Sequence, residues 1–439
     1  MTSFSRVRMV NKALLIGLVS TLLFSFDAIS QVVPQNVMIF EESEGSYPPC
    51  EPSIWIDPSD PSKVVAAAVL DHVAVSSDSG KTWERSNLTS RFGVYGDPCI
   101  ISDEKGRFYY FHLSDPEGKG WASNALLDRI VVQRMKRFGK RWNKGWSIGL
   151  EAPKDQDKEW AVWDPINQRL IVTWTQFDAY GSKAENCESN ILYSTSKNGK
   201  RWTDPVDIST IPGNCIDNSG TNEGAVPSVL INGDACVAWS LDGNIHFASI
   251  ADRDPKNPIV TETIAVKGEA NWTFDIPGLG RANGMPITVV DHSDGPHRGS
   301  IYINWADQRN GEDDTDVWVV RSEDNGQTWS APIRVNDDSQ GSHQFFTWMA
   351  IDQSTGYLYT VFYDRRHYNN EQTDVVLATS KDEGLTWENR VISESPFTPE
   401  EGIFFGDYNN ISAANGVIRP IWTRYENGKL SVWTALIQE

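Results

Sequence analysis

Ser76-Ser77-Asp78-Ser79-Gly80-Lys81-Thr82-Trp83 is one of three matching octets, the others running from Ser322 to Trp329 and from Ser380 to Trp387. All three read Ser-x-Asp-x-Gly-x-Thr-Trp. The glycine permits positive φ in a tight hairpin. The Asp and Ser side chains can hydrogen-bond local backbone and hold the turn from within. The Trp supplies a large apolar face to pack beneath the sheet. Two degenerate copies keep the glycine and the tryptophan, as Gly139/Trp142 and Gly199/Trp202. The five tryptophans stand at 83, 142, 202, 329 and 387, so the gaps are 59, 60, 127 and 58 residues. The long gap is two periods with one copy missing. The chain is therefore an array of sheet units about 60 residues long.

A second pattern precedes each turn: a strand, a turn, and a strand ending in an aromatic. It starts at Glu51-Pro52, Asp97-Pro98, Lys158-Glu159, Glu223-Gly224, Asn283-Gly284, His343-Gln344 and Asp407-Tyr408. That is seven copies, and helical periodicity is almost absent after residue 30. The pattern predicts an all-β fold, a β-propeller with seven blades favoured over six. In the six-bladed alternative the unit near residues 224–282, which lacks an octet, is displaced. The last unit, 404–439, has room for only three strands. Val37–Glu41 has no unit of its own and is expected to supply the fourth. Such closure hides the edges that an open sheet leaves unpaired.

The octet is the Asp-box, or BNR, repeat, and over nearly all of residues 36–439 the sequence resembles the sialidase-superfamily propellers. The resemblance is specific for fold; Asp-boxes occur in hydrolases and in non-enzymatic propellers alike. It implies an exported protein that binds, and in an enzyme hydrolyses, glycans at the central rim. The alternative is a non-catalytic propeller that binds a glycan or a protein there.

The first 30 residues read as a secretory signal peptide: Arg6, Arg8 and Lys12, an apolar run from Ala13 to Phe26, and small residues before a cut after Ser30. The run is too short to span a bilayer comfortably, and no second long apolar stretch follows. Residues 31–439 are then one propeller domain, secreted or extracytoplasmic and expected to be monomeric. With 39 basic against 59 acidic side chains, the chain repels nucleic acid and anionic membranes. Five cysteines are compatible with disulfides after export. Cys187 and Cys215 flank one strand–turn–strand unit and form the expected pair. Cys50 and Cys99, each at a repeat start, are placed to pair across neighbouring blades. Cys236, in an apolar strand, reads as a free core thiol. No Cys or His spacing suggests a metal site or cofactor. The acidic stretch Asp307–Asp316 reads as a solvated loop, with structural Ca²⁺ as the weaker option.

If the octets sit in the turn between the two outer strands, the opposite face carries the loop into each innermost strand and the loop after the second. Those places hold a ring of charge. It includes Glu51, Asp97, Asp157, Lys158, Glu159, Glu223, His343 and Asp407 on entering, and His72, His112, Asp307, Arg309, Asp364, Arg365, Arg366 and Arg424 on leaving. Clustered carboxyl groups shift one another's pKa and share acid and base roles. Glycoside hydrolysis commonly uses two of them. The resemblance implies Asp97 as acid/base and Tyr408 with Glu223 as nucleophile and helper. It places Arg309, Arg365 and Arg424, with Asp307, Asp364 and Asp407, around the substrate. The Arg-Ile-Pro motif usual in sialidases is absent, since its place reads Glu51-Pro52-Ser53-Ile54. One arm of an arginine clamp is thus missing, or is replaced by Arg281, Arg365 or Arg366. The plainer readings are turn formation at Asp97 and Asp407, and ion pairs between adjacent blades at Asp307–Arg309 and Asp364–Arg366. Trp160, Trp174, Trp239, Trp305 and Trp422 read as core rather than as sugar platforms.

Overall fold

The computed structural model describes residues 1–2, 33–254, 257–339 and 341–439. The signal-peptide reading of residues 1–30 falls outside them apart from the first two residues. From Val33 onward the described chain forms seven antiparallel blades of four strands each, the seventh carrying an extra short strand, Ile437–Gln438, on Val417–Glu426. Their innermost strands are Ser53–Ile56, Cys99–Ser102, Asp155–Asp164, Glu223–Val229, Ile287–Val290, Gln344–Asp352 and Asn410–Ala414. Each packs against the inner strands of both neighbours, and Ser53–Ile56 meets Asn410–Ala414 to complete the ring. The unit without an octet folds as a full blade from Glu223 to Val266. Six blades are thereby excluded.

In the first six blades the strands run from the inside outward in chain order. The seventh has Asn410–Ala414, Val417–Glu426 and Lys429–Ala435, and its outer strand is Asn36–Glu41 from the other end of the chain. The pairing runs from Asn36 opposite Ala435 to Glu41 opposite Ser431. The expected closing strand is therefore present. Between the fourth and fifth blades a short ribbon pairs Thr273–Phe274 with Ala282–Asn283.

The core lies in the layers between blades. Trp174, Trp239, Trp305 and Trp422 are fully buried there, and Trp160 is nearly so at the central channel against Trp348. These indoles pack; they are not exposed sugar platforms.

The octets show why their residues are needed. Ser76 Oγ accepts the Gly80 amide at 2.8 Å. Asp78 Oδ1 accepts the amides of Lys81 and Thr82 at 3.0 and 2.9 Å, and the Thr82 hydroxyl donates to Oδ2 at 2.6 Å. Asp324 repeats the amide and hydroxyl contacts, and Asp382 repeats those from its threonine. Gly326 sits at φ +81°, and a Cβ there would come within 2.1 Å of the Phe247 ring of the preceding blade. Trp329 lies edge-on to that ring at 5.0 Å.

Hydrogen bonds from Thr328 bring the Asp324 carboxyl down to about 2. At Asp78 burial is the largest single influence and works the other way, yet the bonds from Thr82, Ser76 and Lys81 together bring it to about 2. An unfolded aspartate titrates near ~3.9. The stabilisation from these turns is then present above that value and is lost as pH falls from about 4 through about 2. Melting temperature followed from pH 5 to pH 2 should fall less steeply for Asp324→Asn than for the parent chain. Parallel curves would mean the turn carboxylates do not set acid sensitivity.

Candidate functional site

At the start of the inner strands the backbone makes the same move in successive blades. Glu51, Asp97, Lys158, Gly224 and Phe346 all adopt positive φ. The strand is bulged just after the turn in the third, fourth and sixth blades. The left-handed residue redirects the side chains at the start of the strand, and polar groups gather at one mouth of the central channel.

Lys158 is the centre of this cluster. Its ammonium donates to Asp407 Oδ2 at 2.7 Å and lies 3.5 Å from Asp97 and 3.9 Å from Glu51. The Asp407 amide donates to Glu51 Oε1 at 3.1 Å. Arg281, from the ribbon loop, reaches Asp407 Oδ2 at 2.6 Å and Asp217 Oδ2 at 3.0 Å. Asp217 also accepts the Tyr180 hydroxyl at 2.6 Å and the Trp272 indole N–H at 3.1 Å. The Cys187–Cys215 disulfide, as expected, joins the loops that carry Tyr180 and Asp217. Cys50 and Cys99 do not pair; both are free and buried, as is Cys236.

Burial governs the protonation of this cluster. It pushes the Glu51 carboxyl well above the usual range, and Asp97 adds to the push. Both carboxyl groups face the Lys158 ammonium. Burial likewise raises Glu223 strongly, with Asp217 and Asp157 adding to it, and takes Asp157 to about 7. At Asp407 burial opposes charge, but Lys158 and Arg281 overcome it and hold the carboxyl low. Burial opposes the Lys158 charge too, yet Asp407, Asp97 and Glu51 drive its pKa well up. The Tyr408 phenol is raised by burial first and then by Asp97, Glu51, Glu159 and Asp407.

Tyr408 also forms a floor. Its ring lies 5.3 Å from Trp160 and 6.1 Å from Trp348, and the two indoles are 4.3 Å apart. On the far side of those indoles the channel is open, about 550 Å³ in volume, with walls drawn from the inner strands of all seven blades. The charged mouth is closed instead. The loop 272–283 is stitched over it by Gln308 Nε2 to Asp275 O at 2.9 Å and by Arg365 Nη1 to Pro277 O at 2.7 Å. Asp97 is 7% exposed and Asp407 1%. The Arg281 side chain, at 32%, is the accessible part of the cluster.

No protein-family model matches the chain. A sialidase of Bacteroides fragilis (strain YCH46) is 24% identical over 250 residues, 46% of this chain and 45% of that protein. The chain thus matches less than half the length of that relative. Among solved structures, the polysaccharide lyase PL25, an ulvan lyase, aligns with a TM-score of 0.55 at 13% identity over 92% of this chain and 96% of that one. The α-L-arabinofuranosidase Arb93A of Fusarium graminearum aligns at 0.51 and 12% identity over 92% and 98%. The likeness to these solved structures is one of fold, the β-propeller. Within this propeller the residues singled out from sequence fall into two groups.

Asp97, Tyr408 and Asp407 come together around Lys158. Glu223 lies toward Asp157 and Asp217, with Thr175 Oγ1 at 3.4 Å. The arginines do not converge on Asp407. Arg309 forks onto Asp307 of its own turn and reaches Glu269 at 3.5 Å. Arg366 holds Asp364 at 2.7 Å and also meets Asp337. These ion pairs are chiefly local, two residues apart, where pairs between blades were expected. Arg424 donates to Ser395 O at 3.0 Å and to the Ser395 hydroxyl at 2.7 Å. In the Asp307–Asp316 loop, Asp316 is bonded to Asn310 and Asn336. Sequence reading missed Asp217 and Tyr180. Asp217 stands two residues past Cys215, so the expected disulfide was the available pointer to it.

Proposed function

We propose that this chain is an exported glycan-handling propeller that cleaves a glycosidic bond at the charged mouth, with Asp97 as proton donor. The observation that carries the reading is the Glu51–Asp97 pair. Burial and Asp97 hold the Glu51 carboxyl well above the usual range beside Lys158, and paired carboxyl groups in unlike environments divide the acid and base roles of glycoside hydrolysis. Tyr408 has a hydroxyl without a hydrogen-bond partner and is the nucleophile in this scheme. Glu223 is the carboxyl across Lys158 that supports charge development. Arg281 and Asp407, rather than the engaged Arg309, Arg365 and Arg424, meet the ligand. The named activities of similar proteins, a sialidase, an ulvan lyase and an arabinofuranosidase, support a saccharide as the partner. Among the described residues no helix is long and apolar enough to cross a membrane.

The closed mouth favours a second reading, a propeller that binds without turnover. A panel of chromogenic glycosides, including a sialoside and an arabinofuranoside, separates the two. Hydrolysis by the chain is expected, with a loss of about 10²–10⁴ in kcat for Asp97→Asn and for Tyr408→Phe. Turnover unchanged by both substitutions would move the chemistry elsewhere. No turnover of any member would leave the binding propeller.

A further inference from the structure

We propose that the charged mouth prefers a sugar bearing a free amine over an anionic one, and that the ligand's ammonium displaces the Arg281 guanidinium from Asp407 and Asp217. The inference rests on the glycan reading above and deepens it.

The argument begins with donors and acceptors. The cluster holds the carboxyl groups of Glu51, Asp97, Asp157, Glu159, Asp217, Glu223 and Asp407, and among the described residues the cations set against them are Lys158 and Arg281. An ionised carboxylate accepts hydrogen bonds and cannot donate. Asp97 Oδ2, Glu223 Oε1 and Asp407 Oδ1 are buried and lack any hydrogen-bond partner. All three residues are more than nine-tenths buried. The ionised Asp407 therefore lacks a donor at Oδ1, and a ligand rich in N–H and O–H groups supplies one. A sugar carboxylate would bring more acceptors and a like charge into a poorly solvated space.

The choice of an amine follows from the two resident cations. Lys158 stands on a strand at the channel wall and is held by three carboxyl groups. Arg281 comes from a loop, is a third exposed, and bridges two carboxylates that approach from different parts of the ring. Asp217 belongs to the loop before the fourth blade, and Asp407 to the start of the seventh. A guanidinium there marks a place built for positive charge. An ammonium in the same place offers three donors to Asp217 and Asp407. Sequence shows the same bias from the other side, because the arginine motif that would greet an anionic sugar reads Glu51-Pro52-Ser53.

The test is calorimetry on the full chain at physiological ionic strength with three uncharged-to-charged probes: a glucosamine tetramer, its N-acetylated counterpart, and a galacturonate tetramer. The glucosamine tetramer is expected to bind at least tenfold tighter than either. Asp217→Asn should weaken it about tenfold or more, and Arg281→Gln should tighten it, since Asp217 then lacks its internal cation and Asp407 keeps Lys158 alone. Asp407→Asn is the parallel variant if Asp217→Asn folds poorly. Equal or tighter binding of the N-acetylated or acidic tetramer overturns the amine preference and leaves the glycan reading standing. Binding of the amine that ignores Asp217→Asn and Asp407→Asn also overturns it, as general attraction to a chain of net charge −20. Failure of all three probes to bind counts against the glycan reading itself and removes this inference with it.

Discussion

Lys158→Met is expected to destabilise the propeller by about 3–5 kcal/mol, the usual cost of removing one partner from a buried ion pair. The ammonium is bonded to Asp407 at 2.7 Å and faces Asp97 and Glu51 within 4 Å. Without it, Asp407 keeps Arg281 alone, and the Glu51–Asp97 pair loses its counter-charge. The lost attraction is not the whole effect, because the carboxylates remain buried and must take up protons or water to relax. Methionine fills similar volume, so packing loss is minor. Chemical unfolding should show the full drop in Lys158→Met and a much smaller one in Lys158→Met combined with Asp407→Asn. The non-additivity of the two changes measures their coupling, expected at 1–3 kcal/mol for groups in contact. A Lys158→Met chain as stable as the parent would mean the carboxyl groups are already protonated in the folded state and the lysine is dispensable.

The same lysine shows what sequence could and could not tell. The repeat period placed Glu51, Asp97, Lys158, Glu223 and Asp407 at equivalent points, and topology alone put them on one mouth. Their common backbone conformation explains why that worked: positive φ at Glu51, Asp97 and Lys158 is a property of the repeat. What periodicity could not supply is the material inserted between repeats. Arg281, Asp217 and Tyr180 all sit in connecting loops with no fixed position in the period. Their meeting depends on a disulfide and on the ribbon at 273–283. The arginines misled for a related reason. Arg309 and Arg366 follow an aspartate by two residues. At that spacing the guanidinium folds back on its own turn, a local solution that a ring diagram does not reveal.

The largest effect outside the site is expected from removing the closing strand. A chain that begins at Gly45 lacks Asn36–Glu41 and should lose at least about 5 kcal/mol. Ile39 and Phe40 are both buried, and truncating such side chains alone costs about 2–5 kcal/mol each. The strand's polar contacts reach three blades. Arg85 of the first blade donates to Met38 O at 2.8 Å and to Ile39 O. Asn36 exchanges bonds with Ile392 and Glu394 after the sixth, and the ladder itself belongs to the seventh. Losing it exposes Lys429–Ala435 as an open edge. The covalent link between the chain ends is not what closes the ring, because loop-closure entropy rises only with the logarithm of the intervening length. A synthetic peptide of residues 33–42 should therefore restore the unfolding midpoint of the shortened chain in a concentration-dependent way. An unchanged midpoint on deletion would place closure in the inner strands alone. Recovery by the peptide would place it in the ladder, where a strand from either end of the chain serves.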